Sequence, residues 1–458
     1  MAEVQAPPLV RPEPRGRGLV EWLTTTDHKK IGILYLISSL SFFVVAGIFA
    51  LLMRTELARP GTQILSTRAY NLWILGLIIV GTASILGAIN FIVTILRMRA
   101  PGMSMMRMPA FCWSVLATSL LVVLAAPVLT AALAMLFADR RLGTVFFDAS
   151  RGGSPLLYQN VFWFFGHPEV YMLVLVAWGM ISEILPVFSG KPLWGYRGVV
   201  LAFLLVTALS FTVWAHHMFV TGAVELPFFA VTTEMISIPT GVLFFNWLAT
   251  LWKGKLRFEP PMLFALGFVA MFLIGGIDGV WMASPAMDFA IHDTYWVVAH
   301  IHYVLFGGTV FGIMAGMYYW FPKMSGRFLS RKIGVWQFWI QLIGFNLTFF
   351  PMHLLGLKGM PRRIADYGAG RGWTGLNTLA SIGAYVIGVA MVLFFVNVFV
   401  SLRKPKDAPA DAWGSGNSLE WATSSPPPAH NFDTLPEVRS GRPVYDMRKA
   451  AASGGRAT

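Results

Sequence analysis

Ala299-His300-Ile301-His302-Tyr303-Val304 lies inside the apolar run 294–320, and the reading of this stretch decides the fold. Successive residues of an α-helix turn by about 100°. Two histidines two places apart therefore leave the rod on opposite sides. A run this long is a membrane span, since ~20 apolar residues cross a hydrocarbon core. A single buried histidine is ordinarily a core residue, but His167, His216 and His217 sit in neighbouring apolar segments. Neutral imidazole is a standard metal ligand, so one helix serving two separate metal centres is the expectation.

The composition around that helix is that of a membrane protein. Of 458 residues, 56% are hydrophobic and 12% charged, with mean hydropathy +0.63; soluble domains average about 25% charged. Ten spans fit the pattern, roughly 31–53, 72–96, 113–137, 160–186, 198–219, 228–252, 261–282, 294–320, 334–356 and 376–402. The expected fold class is all-α, a polytopic membrane helix bundle. The 36 Phe and 17 Trp suit lipid-facing and interfacial positions. A single cysteine, Cys112, excludes an internal disulfide and any multi-thiolate metal site. No cleavable signal peptide is visible: the start is polar, and the first apolar run begins at Ile31 after Asp27-His28-Lys29-Lys30.

The net charge of +13 points to membrane orientation and away from nucleic acid. Arg97, Arg99 and Arg107 follow the second span, Lys191 and Arg197 the fourth, Lys253, Lys255 and Arg257 the sixth. Lys323, Arg327, Arg331 and Lys332 follow the eighth. These loops and both tails share one side, which the positive-inside rule makes cytoplasmic. Arg54, Arg140, Arg141, Arg362 and Arg363 are the exceptions in the outer loops. Residues 1–30 read as an N-terminal tail, 31–402 as one membrane domain without repeats, and 403–458 as a C-terminal tail. The tail's composition cannot build its own core, so it is expected against the cytoplasmic face or a partner subunit.

With both ends inside, all five membrane histidines fall in the outer half of the bilayer and can converge. His216 and His217 are adjacent and can grip one ion from one helix, and His167 can add a third nitrogen. Three histidines with an open position make a catalytic metal site, for which zinc or copper would serve. The pair on the eighth span favours haem iron beside it. Tyr171 is four residues after His167 and shares its face, where a phenol can donate a proton and an electron. Glu169 reads as an acid buried in the membrane and hence as a proton route, or else as a structural carboxyl bonded to a helix end. His292-Asp293 could hold a hard cation such as magnesium. Arg362 and Arg363 suit the forked grip on carboxylates, with haem propionates as partners.

Trp214-Ala215-His216-His217-Met218-Phe219, Gly166-His167-Pro168-Glu169-Val170-Tyr171 and His292-Asp293-Thr294-Tyr295 resemble subunit I of the haem-copper oxygen reductases. So do Ala299-His300-Ile301-His302-Tyr303-Val304 and Gly359-Met360-Pro361-Arg362-Arg363. The stretch Gly416-Asn417-Ser418-Leu419-Glu420-Trp421-Ala422-Thr423 is similar to the bacterial A-type cytochrome c oxidase branch. The resemblance implies copper on His167, His216 and His217, with Tyr171 cross-linked to His167. It implies a high-spin haem on His300, a low-spin haem on His302, and propionates on Arg362 and Arg363. It gives Glu169 a proton-gating role, magnesium to His292 and Asp293, and Arg54 a place near the low-spin haem. Implied partners are a copper-bearing subunit II, a subunit III, cytochrome c as electron donor and membrane lipid.

This chain also departs from the family pattern. The family has twelve spans, and its second carries the other histidine of the low-spin haem. Here Tyr70-Asn71 runs directly into Leu72-Trp73-Ile74-Leu75, which resembles the family's fourth span. Two spans are missing, and none of the nine histidines (His28, His430 and His353 are the rest, with His292) takes the vacant ligand position. The entrance carboxylate of one proton pathway is lost with them. The lysine of the other pathway is Leu243 here, while the sixth span carries Glu234, spaced by threes from Ser237 and Thr240. Glu234 is expected to replace part of the lysine route.

The expected function is respiratory dioxygen reduction to water at a haem and copper, with electrons from cytochrome c and coupled proton translocation, in a bacterial inner membrane. An impaired deletion variant and a nitric oxide reductase-like enzyme are the alternatives.

Overall fold

Ten helices are long and apolar enough to cross a bilayer, and they are numbered here as spans one to ten. They are His28–Glu56, Gly76–Arg97, Ala110–Arg141, Pro155–Ser189, Tyr196–Thr221, Leu226–Leu251, Pro260–Ala283, Tyr295–Ser325, Arg331–Leu357 and Thr374–Leu402. The structure is a computed structural model that describes residues 27–61, 70–428 and 430–454, with Gly18, Val20, Trp22 and Thr25. The expected tail over 1–30 therefore lies outside the described residues but for Gly18, Val20, Trp22, Thr25 and residues 27–30, and the last three of these already belong to span one. Helix dominates for the reason the bilayer imposes: each peptide group must find its partner within its own segment. Apart from helices, the described residues hold a single bridge, between Thr294 and Pro361.

Enclosure differs sharply among the spans. Span four has 67% of its apolar window buried, whereas spans one and two have 0% and 6%. Span four is thus central, and spans one and two present apolar side chains outward. Its ends are set locally: Ser154 caps the start by accepting from Leu157 N at 3.2 Å, and Gly190 closes it in the left-handed region at φ 66°.

Close approach of backbones joins spans eight, nine and ten. A Cβ on Gly356 would fall 2.2 Å from the nitrogen of Trp296, and one on Gly383 would fall 2.5 Å from the nitrogen of Thr348. Both sites require glycine because nothing else fits between the helices.

Three spans leave α geometry, each beside a residue singled out from the sequence. Span five ends in a 3-10 segment, Trp214–Thr221, that carries His216 and His217. Their angular separation is therefore nearer 120° than the 100° expected of an α-helix. Span six breaks at Ile236 between Leu226–Met235 and Ser237–Leu251. Span eight changes to a π turn at Leu305–Val310, beginning three residues after His302. Such turns are common at functional sites.

The C-terminal segment packs over the end of the bundle opposite the histidines. Trp421 is 1% exposed, and Trp413 lies edge-on to Phe188 at 5.0 Å. Lys323 Nζ donates to the carbonyls of Ala410, Thr423 and Ser424. The segment builds no core of its own and borrows one from the membrane domain.

Candidate haem-copper site

Span eight starts where Thr294 accepts from Trp296 N at 3.2 Å. That start fixes His300 and His302 on opposite sides of the first α segment. His300 turns into a cavity of about 360 Å³, which His167, Tyr171, His216 and His217 also line.

On the opposing wall three nitrogens converge. His167 Nδ1 is 3.2 Å from His216 Nε2, and His216 Nε2 is 3.1 Å from His217 Nε2. His216 Nδ1 faces Thr233 Oγ1 at 3.1 Å, which sets that ring's orientation. One donated atom from each histidine lies within 4.8 Å of the others. Three ligands about 2.0 Å from a shared centre stand about 3.5 Å apart, so the set fits one ion. The other nitrogen of His167, Nε2, is buried with no hydrogen-bond partner. Imidazole and no thiolate makes the donor set suitable for copper.

Across the cavity, His300 Nδ1 donates to the Gly275 carbonyl at 2.9 Å. That bond fixes its tautomer and leaves Nε2 as the ligand atom. Gly275, Gly276 and Gly279 border the cavity on span seven. A Cβ on Gly279 would stand 3.1 Å from His300 Cε1, while at Gly276 nothing lies within 4 Å. A flat macrocycle on His300 fits this bare helix face.

His302 points away from this cavity. Its Nδ1 donates to the Val298 carbonyl at 2.7 Å, and its ring stacks on Phe349 at 4.2 Å. The charge of Arg54 acts on it, while Arg54 Nη2 donates to Asn377 O at 3.0 Å and Ser381 Oγ at 3.2 Å. Of the other four histidines, His28 meets Asn431, His292 meets Asp288 and His353 meets Asp278, while His430 is exposed in the C-terminal segment.

At the cavity's outer rim, Arg362 Nε donates to Asp293 Oδ1 at 2.7 Å, and His292 Nε2 is 3.9 Å from Asp293 Oδ2. Burial raises the Asp293 carboxyl, but Arg362 with His292 and Arg363 outweighs it, and the net position is below the ordinary value. Burial in turn lowers Arg362. Arg362, His292 and Asp293 line the cavity, whereas the Arg363 side chain is 64% exposed. Of the expected arginine pair, one faces the cavity.

Two of the expected acids stand outside the cavity lining. Glu169 lies within span four, on a face turned away from the cavity. Two residues past His167 is about 200° of helix rotation, which turns it from the cavity that Tyr171, four residues on, reaches. Glu234 is half-buried and does not join the cavity lining, which takes Thr233, Ser237 and Thr240 from span six. The hydroxyl stripe is therefore Thr233-Ser237-Thr240, shifted because the helix breaks at Ile236. Leu243, at the lysine position, is fully buried.

Sequence reasoning also passed over three residues. Trp163 stacks on His217 at 4.0 Å with 14° between planes; its place four residues before His167 signalled a shared face. Asp288, 5% exposed, bonds His292 Nδ1 at 2.9 Å, and its spacing of four was equally legible. Asp278, an acid within span seven, bonds His353 at 2.7 Å.

Comparison with known proteins agrees with this geometry. The family described as cytochrome c and quinol oxidase polypeptide I matches residues 61–386. A probable cytochrome c oxidase subunit 1-beta of Nocardia farcinica is 46% identical over 95% of this chain and 89% of its own length. A cytochrome c oxidase subunit 1 of Corynebacterium efficiens is 43% identical over 95% of this chain and 92% of its own. A chain from a cryo-EM structure of a haem-copper terminal oxidase dimer shares the fold, with TM-score 0.59 and 23% identity over 65% of this chain and 57% of that one. The Nocardia alignment runs over 524 positions but takes in 95% of 458 residues, about 435, so about 89 positions face a gap here. Two spans of ~20 residues with their loops are of that size, in keeping with ten spans against the family's twelve. The chain belongs to the cytochrome c and quinol oxidase polypeptide I family, subunit I of the haem-copper oxidases.

Proposed function

We propose that this chain is the catalytic subunit of a terminal respiratory oxidase that reduces dioxygen to water with electrons from cytochrome c, coupled to proton translocation. One observation carries the proposal: the nitrogens of His167, His216 and His217 meet on one wall of a cavity whose other wall is His300. When bound there, copper and haem iron supply the one-electron chemistry and the open coordination positions. The protein holds the two metal positions face to face in an apolar enclosure that limits water.

Tyr171 is the group placed to give a proton and an electron to dioxygen, since its ring lies 4.8 Å from that of His167 in the same cavity. The unpartnered His167 Nε2 supports the covalent link to Tyr171 that the resemblance implies. Reduction to water consumes four electrons and four protons per dioxygen. Ser237 and Thr240 give the protons hydroxyl partners at the cavity wall, with Glu234, before the Ile236 break on the same span, as the carboxylate of that route. Arg362 would hold a haem propionate, and His292 with Asp293 would hold magnesium at the rim. The low-spin haem would take His302 beside Arg54. A copper-bearing subunit II, a subunit III and cytochrome c are the proposed partners. The basic loops support a bacterial inner membrane location with both termini in the cytoplasm.

Oxygen uptake by the purified complex with reduced cytochrome c tests the reading. Wild type should consume oxygen and Tyr171→Phe should lose nearly all turnover while keeping haem and copper; equal turnover in both would refute it.

One observation favours a second reading: no other histidine among the described residues faces His302. On that reading the chain keeps its binuclear site but is impaired in receiving electrons. Tyr171 in the cavity argues against a nitric oxide reductase-like activity.

A further inference from the structure

Span seven carries an acid in the membrane with no place in the mechanism above. Asp278 and His353, on spans seven and nine, are each 6% exposed. His353 Nε2 lies 2.7 Å from Asp278 Oδ2, and its Nδ1 lies 3.2 Å from the Phe350 carbonyl. Both ring nitrogens thus face oxygen atoms. An acid and a histidine paired within a bilayer mark a functional site by default.

The location of the pair gives it a task. Asp278 is one turn beyond Gly275, whose carbonyl accepts from His300 Nδ1 at 2.9 Å. It also directly precedes Gly279, where an added Cβ would fall 3.1 Å from His300 Cε1. The same helical turn therefore supports His300 on one face and is tied to span nine on another. His353 is held from span eight as well, with Trp296 at 4.9 Å and Tyr303 at 5.5 Å between ring centroids.

We propose that the Asp278–His353 pair is a positioning device for the haem ligand His300: it locks the Gly275–Gly279 turn against span nine and sets a negative pole behind His300 that favours ferric iron. This rests on the haem-copper reading above. Groups behind a ligating histidine raise its basicity and tune the metal in this way. Neither residue touches the reacting atoms.

The test is a redox titration of the high-spin haem in the purified complex, with the iron–histidine stretch read by resonance Raman. Asp278→Asn should raise the ferrous-to-ferric ratio at fixed ambient potential and lower the stretching frequency. Asp278→Glu, which keeps the charge, should restore both towards wild type. If Asp278→Asn loses haem, His353→Gln is read for the same stretch, where weaker coupling of the turn should shift it. Unchanged potential and stretch in haem-loaded Asp278→Asn would overturn the proposal, as would loss of haem from both variants, which assigns the pair to structure alone. Wild type without any haem would instead overturn the haem-copper reading and this inference with it.

Discussion

The Trp163 and His217 rings lie parallel, 4.0 Å apart with 14° between their planes. His217 follows the end of an α-helix in a 3-10 segment, so its own backbone holds it less firmly than a helix interior would. The indole of span four supplies the missing wall and aims Nε2 at the other two histidines.

Trp163→Ala should therefore lower copper affinity by about 10–100-fold, the usual cost of losing a ligand's supporting contact. Haem on His300 should remain. Copper quantified against haem after dialysis checks this, and full copper retention would assign the stack to packing alone.

The close approach of spans eight and nine gives a stability prediction. A Cβ on Gly356 meets backbone and not a movable side chain, the Trp296 nitrogen at 2.2 Å. Gly356→Ala should destabilise by about 1–3 kcal/mol, typical of overpacking. Thermal unfolding in detergent measures it, with Gly47→Ala on span one, where nothing lies within 4 Å, as the packing control.

Acid should loosen the outer rim. Burial raises the Asp293 carboxyl and Arg362, with His292 and Arg363, lowers it further, leaving it below its ordinary value. A carboxyl depressed in the folded state contributes stability that is complete above its unfolded value, ~3.9, and lost as pH falls through the lower folded one. The gap in melting temperature between wild type and Asp293→Asn should close below about pH 3.9. A gap that persists there would show that charge is not what Asp293 contributes.

The proton path is testable by pairing two substitutions on span six. Thr240→Val removes a hydroxyl from the cavity wall, and Glu234→Gln removes the acid on the other side of the Ile236 break. Each should slow turnover and proton uptake. If Glu234→Gln left both rates unchanged, the acid would have no part in the route.

The ten spans and the convergence of His167, His216 and His217 were legible because both rest on rules the bilayer enforces: long apolar runs, and polar groups within them that must be used. Tyr171 followed from a spacing of four along one helix. Glu169 and Glu234 lie outside the cavity lining for different reasons. The face of Glu169 follows from rotation alone, but its exposure depends on which spans cover that face. Glu234 depends on the break at Ile236, which local sequence does not announce. Asp278 met the same rule as those acids, yet its partner His353 is 75 residues away, and only packing brings the two together.

The central claim is that one cavity holds a haem on His300 opposite a copper on His167, His216 and His217. The most direct measurement is the carbon monoxide difference spectrum of the reduced complex, with haem and copper quantified per chain. The account predicts a carbon monoxide-binding high-spin haem and stoichiometric copper, with copper lost and the haem kept in His216→Ala. A complex with neither a carbon monoxide-reactive haem nor copper would contradict it.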